Sequence, residues 1–216
     1  MRDSGILRYA AVVLFIFTAS GCLSVPGTPN SRFYMLNPIS KEQAAEKLEI
    51  APDIIIEVGP IGVPDYQDRP QIVTKNTNGT LSFAQLDRWG EPLDSALARI
   101  ISENLAVMLP AASFQVFPCN FAIPLDYQVI ANIVQLDSQF RKDMVVTVQW
   151  SVINAKSRKM VLTKRSQFSE PINPPNYFGI AQALSSTCAA LSREMAGELS
   201  KLPKLPKLAR EKVYRK

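Results

Sequence analysis

Histidine is absent from all 216 residues, and cysteine occurs three times. Without imidazole there is no Ser-His-Asp triad, no Cys-His pair and no His-ligated zinc site. Three cysteines build neither a Cys-rich metal cluster nor a dense disulfide framework. The sequence also lacks a P-loop, a Gly-x-Gly-x-x-Gly fingerprint and a Ser-x-x-Lys nucleophile motif. Nucleotide hydrolysis, dinucleotide binding and acyl transfer are thus all missing their parts. Asp65 and Asp68 are the nearest approach to a carboxylate pair, and they stand alone in a turn-forming stretch. The reading is a non-enzymatic chain that needs no cofactor and no metal. The hydrophobic fraction of 47% and charged fraction of 20% exclude global disorder and leave material for a packed core.

The charge is unevenly placed. Residues 201–216 hold seven Lys/Arg against one Glu, a net of +6, whereas residues 22–200 hold 15 Lys/Arg against 17 Asp/Glu, a net of −2. The basic pI belongs to the tail, so the body does not carry the overall positive balance of a nucleic-acid-binding domain.

What is there begins with an address. Arg2 and Arg8 precede the apolar run Tyr9–Thr18, and Ala19-Ser20-Gly21-Cys22 follows. Ten apolar residues are too few to cross a hydrocarbon core about 30 Å thick, and they match the apolar region of a secretory signal. Small residues directly before a cysteine resemble a bacterial lipobox. Residues 1–21 are therefore expected to be removed, and Cys22 to be lipidated and become the mature N-terminus. Leu23, rather than Asp, follows it, which favours the outer membrane with the domain facing the periplasm. Cys119 and Cys188 remain as thiols in an oxidising compartment, where they pair in a disulfide or Cys188 simply fills an apolar helix stripe.

Residues 22–31 form a Pro- and Ser-containing linker, and 32–202 read as the domain. Strands are expected at Arg32–Leu36, Ile54–Val58 and Phe114–Phe117, and over Tyr127–Leu136, Met144–Val152 and Met160–Phe168. Ile54–Val58 is expected to end at Gly59-Pro60. Ile72–Lys75 and Leu81–Ala84 flank Asn78-Gly79, a hairpin signal in which both residues can take positive φ. Leu93, Leu97, Ile100, Ile101, Leu105 and Met108 recur at helical spacing, with Pro92 in the first turn and Pro110 beyond the end. Tyr177, Ile180, Leu184, Cys188, Leu191, Met195 and Leu199 trace a second helix from Asn176 to about Leu202. The order gives an α/β fold, a mixed β-sheet with packed helices, antiparallel in its Tyr127–Phe168 part. Residues 203–216 continue a Lys-Leu-Pro repeat suited to extended polyproline II. That segment is either a solvated tail or a contact for anionic headgroups, lipopolysaccharide or an acidic partner.

Several stretches together carry a resemblance. They are Phe33-Tyr34-Met35-Leu36, Val58-Gly59-Pro60, Val63-Pro64-Asp65-Tyr66, Asp68-Arg69-Pro70-Gln71-Ile72-Val73 and Arg88-Trp89-Gly90-Glu91-Pro92-Leu93. With the later strand and closing helix, residues 31–200 resemble the ABC-type transport auxiliary lipoproteins, the PqiC (YmbA) family. The resemblance implies a fold similar to the TolB N-terminal domain. It implies a non-catalytic outer-membrane lipoprotein acting beside MCE-domain proteins and inner-membrane transporter components in intermembrane lipid transport. The lipid on Cys22 would hold the domain where it docks a periplasmic conduit, and a homo-oligomeric ring is compatible with that role. An envelope-integrity or outer-membrane assembly lipoprotein without a cargo path is the alternative from another class, and a periplasmic lipid carrier a third. Tyr66, Arg69, Arg88 and Trp89 are the candidate partner contacts, because aromatics and Arg are enriched at interface hot spots. The structural alternative has Trp89 covering a sheet edge and the two arginines pairing with Asp65, Asp68 or Asp87.

Overall fold

The chain divides into two units, Met1–Asn30 and Ser31–Lys216. The computed structural model describes residues 30–44, 47–119 and 123–203. Cys22, the segment 1–21 expected to be a signal, and the basic tail beyond 203 lie outside the described residues.

Among the described residues, eight strands and two helices follow in the order β1 (Arg32–Tyr34), β2 (Ile55–Gly62), β3 (Gln71–Lys75), β4 (Leu81–Trp89), α1 (Leu93–Met108), β5 (Ser113–Val116), β6 (Tyr127–Ser138), β7 (Asp143–Asn154), β8 (Met160–Pro171) and α2 (Tyr177–Leu199). They form a three-stranded sheet, β1-β4-β3, and a five-stranded sheet, β5-β2-β6-β7-β8. β2 runs parallel to both β5 and β6, while β6, β7 and β8 form an antiparallel meander. The fold is α/β on mixed sheets, as the element order implies.

The strict alternation in β7 decides which side of the large sheet is covered. Met144, Val146, Val148, Trp150 and Val152 are all buried on one side. Ile100, Ile101 and Leu105 of α1 and Ile180, Leu184 and Met195 of α2 belong to the same core cluster. Each fully buried side chain of this size contributes about 1.5–3 kcal/mol. The other side is polar, with Asn132, Gln149, Arg165 and Gln167 exposed. Asn104, on α1, is completely buried between the helices. Its Oδ1 accepts from the Ile39 N–H at 2.9 Å, and its Nδ2 donates to Ser192 Oγ at 3.3 Å.

β2 does not stop at Gly59-Pro60. It continues to Gly62 and pairs with β6 on both sides of a register shift between Val58 and Ile61. Two features permit this. β5 ends at Val116, so Pro60 stands where β2 has lost that neighbour, and its missing N–H breaks no ladder bond on that side. Gly59 takes φ +114, and a Cβ there would lie 2.9 Å from Phe117 Cβ. In the β3–β4 hairpin, positive φ falls on Gly79 alone. Pro92 caps α1 from outside the helix rather than occupying its first turn. Asn176 caps α2, its side chain accepting from the Gly179 N–H at 3.0 Å. Cys188 is buried in the α2 stripe, and no disulfide joins it to Cys119. Burial pushes the Cys188 thiol up to about 12, which leaves it protonated and unreactive.

The chain enters this fold at β1, near the start of α2: burial, and then the nearby Asp87 charge, raise the Tyr177 phenol above its usual value. It leaves beyond the other end of α2, where the Tyr127 hydroxyl donates to the Pro203 carbonyl at 2.7 Å.

Candidate functional site

The small sheet is built around β4, whose sequence Leu-Ser-Phe-Ala-Gln-Leu-Asp-Arg-Trp ends on three residues with divergent fates. Alternation places Asp87 and Trp89 on one side and Arg88 on the other. The parallel partners follow suit: Arg32 lies opposite Asp87, Phe33 opposite Arg88, and Tyr34 opposite Trp89.

The inner side is a hydrogen-bonded ionic cluster. Asp87 is only 3% exposed. It accepts from Arg32 Nε and Nη2, each at 2.8 Å, and from the Tyr34 hydroxyl at 2.7 Å. Burial alone would raise the Asp87 carboxyl. The hydrogen bonds from Arg32 and Tyr34, with the Arg32 charge, outweigh it and hold the group below its ordinary range. Trp89 is 5% exposed and belongs to the core, with its Nε1 unpartnered. Tyr177 stacks edge-on against Phe140 with centroids 5.2 Å apart.

A depressed carboxyl contributes stability above its unfolded value of about 3.9 and loses it as pH falls through the lower folded value. Asp87→Asn is therefore expected to cost about 1–3 kcal/mol at neutral pH, the value of hydrogen bonds to a charged group. The difference from the parent should shrink as pH falls below about 3.9 and on through the lower folded value, beneath which both forms are neutral. Denaturant unfolding at neutral pH and across the acid range checks this. An undiminished gap at low pH would show that the charge is irrelevant.

The outer side is different. β3 and β4 pair across a register shift, with Arg88 opposite Gln71 and Phe83 opposite Val73; the shift reverses the alternation of β4, so Arg88 and Phe83 share the side that bears Gln71 and the buried Val73, as does Phe33 beyond Arg88. Phe33 is 66% exposed and Phe83 47%, and Met35 is exposed beside them in the alternation. Arg69, from the β2–β3 loop, lies over the Phe83 ring at 4.4 Å. Arg88 is half-buried, and its Nε is buried without a hydrogen-bond partner.

Of the four side chains singled out from sequence, the structure presents Arg69 and Arg88 on this outer side. Neither pairs with Asp65, Asp68 or Asp87; the Asp87 partner is Arg32. Trp89 points the other way, into the core. Tyr66 is braced against β6, its hydroxyl 3.3 Å from both the N–H and the carbonyl of Leu136. Burial raises the Tyr66 phenol above its usual value. Phe33, Phe83 and Arg32 were not singled out from sequence. The alternation of Phe33 and Met35 with Tyr34 and Leu36 was the available signal, but both sides of it are apolar.

Beside this sheet, the β3–β4 and β6–β7 hairpins enclose a polar cleft of about 540 Å³, lined by Lys75, Gln135, Asp137, Gln139, Lys142 and Asp143. Its floor is closed by Lys75 bonded to Asp137 at 2.6 Å, which occupies both charges. Among the described residues, no group of three or more His, Cys, Asp or Glu could hold a metal ion. No described helix is long and apolar enough to cross a membrane. The outer side of the small sheet offers exposed aromatic and basic side chains for surface contact.

Residues 34–196 match a family described as the ABC-type transport auxiliary lipoprotein component. No curated protein matches the chain. Among solved structures, an uncharacterized protein superposes with a TM-score of 0.65 at 16% identity, over 80% of this chain and 100% of that one. A Xanthomonas campestris protein of family DUF330 does so with a TM-score of 0.58 at 11% identity, over 77% and 93% of the two chains. At such identities the likeness is one of fold.

Proposed function

The chain belongs to the ABC-type transport auxiliary lipoprotein family, and from that premise we infer that it is a non-catalytic, lipid-anchored component of an intermembrane lipid transport system. In this reading Cys22 carries the lipid, the outer membrane holds it, and the domain faces the periplasm. There it docks the conduit formed by an MCE-domain protein and its inner-membrane transporter. The observation that carries the reading is the extent of the family match, from the end of β1 to the last turns of α2, nearly the whole described fold. The lipobox-like Ala19-Ser20-Gly21-Cys22 and the surface-contact character of the small sheet support it.

The test is affinity capture from detergent-solubilised envelope after crosslinking, with mass spectrometry of proteins and lipids. An MCE-domain protein and a permease are expected among the specific partners. Repeated recovery of outer-membrane assembly factors alone, with no transport component, would replace this reading with an envelope-assembly role.

A further inference from the structure

The outer side of the small sheet combines three properties. It exposes Phe33, Met35 and Phe83 together, three of the eleven large apolar side chains exposed among the described residues. It carries two guanidinium groups, Arg69 and Arg88, that make no ion pair with any described residue. And it is built on β1, the first strand the chain enters.

The last property fixes what can reach it. Arg32 lies ten positions after Cys22, and a fully extended chain spans at most about 3.3–3.6 Å per residue, so the tether is no longer than about 36 Å. A domain held by a lipid on Cys22 is kept within that distance of the bilayer by the strand that bears Phe33. Exposed aromatic and thioether side chains beside basic ones are the composition of surfaces that settle at the headgroup boundary, with the rings at the acyl edge and the cations on anionic phosphates. Arg69 stacks on Phe83, so the cation and the ring are presented as one unit. Asp65 and Asp68 are exposed in the same loop, but neither neutralises Arg69 or Arg88 by contact.

We propose that this face, formed by Phe33, Phe83, Arg69 and Arg88, is the surface on which the anchored domain rests against an anionic lipid bilayer. The inference rests on Cys22 being the lipidated residue. It turns the tether from a leash into a two-point attachment with a defined orientation.

The test uses the full-length acylated protein in vesicles of phosphatidylglycerol and phosphatidylethanolamine with brominated acyl chains. Trp89 and Trp150 are buried and give a constant background. Phe33→Trp places an indole on the proposed face. Met160→Trp places one at the start of β8, in the other sheet, where Met160 is 62% exposed and pairs with Ile153 at the end of β7. Phe83→Trp is a second reporter on the same face.

Bromolipid quenching of the Phe33→Trp and Phe83→Trp indoles should exceed that of Met160→Trp by about twofold or more. It should fall toward the Met160→Trp level when Arg69→Glu and Arg88→Glu are added, or when phosphatidylcholine replaces the anionic lipid. Intact mass of the same sample reports the acylation. An unacylated chain removes the tether and overturns the anchoring reading and this one together. An acylated chain whose Phe33→Trp emission is unquenched, or is blue-shifted without bromolipid quenching because protein covers the face, overturns this inference alone.

Discussion

Cys22→Ala is expected to abolish recovery of the protein in the outer-membrane fraction. The apolar run Tyr9–Thr18 has ten residues, about 15 Å as a helix against a hydrocarbon core of about 30 Å, so it cannot substitute as a stable span. Acyl chains add about 0.8 kcal/mol for each buried CH₂, and more than one chain is needed for stable attachment. Without the thiol nothing receives them. The Phe33–Phe83 face would then hold the domain only weakly and reversibly. Fractionation of native envelopes by density, with immunodetection of parent and variant, reads the outcome. A Cys22→Ala protein that stays with the outer membrane at parental yield would end the anchoring account.

Trp150→Ala is expected to destabilise the fold by about 3–5 kcal/mol, the usual cost of emptying a large aromatic site. Trp150 is fully buried at the centre of β7, between Ala131 on β6 and Lys164 on β8. Its Nε1 donates to Ser166 Oγ at 3.4 Å, which in turn donates to Glu194 Oε1 at 2.8 Å on α2. The substitution therefore removes volume under the helices and frees one end of a strand-to-helix link. For a domain of this size the melting temperature should fall on the order of 10 °C. Trp150→Phe keeps most of the ring and should recover the larger share of the loss. A Trp150→Ala protein melting within about 2 °C of the parent would mean that the core collapses to fill the site.

The parts of the fold that rest on local pattern were legible. β7 alternates, and α1 and α2 carry apolar stripes at helical spacing, so each appears in the structure within a residue or a few of the expected bounds. Gly59-Pro60 misled because proline is disfavoured in a paired strand, and only the early end of β5, a feature of a segment more than fifty residues away, shows that one side of β2 is already unpaired there.

The candidate site was legible as a set of residue types and not as a surface. Arg88 and Trp89 are adjacent in sequence and therefore point to opposite sides of β4. Which of them meets solvent depends on which side of β4 faces the core, and that is the side of Trp89. Arg32 and Asp87 are 55 positions apart, so no local rule pairs them. Phe33 carried no sign of exposure, since its neighbours on both sides of the alternation are equally apolar.

The two points at which the chain enters and leaves the fold lie by opposite ends of α2. That helix has 23 residues, a rise of about 34 Å. The segment that leads back to Cys22 and the lysine-rich segment that follows Pro203 therefore depart from separate ends of the fold. A lipid attached through the first does not crowd the second, and a partner can engage one without displacing the other.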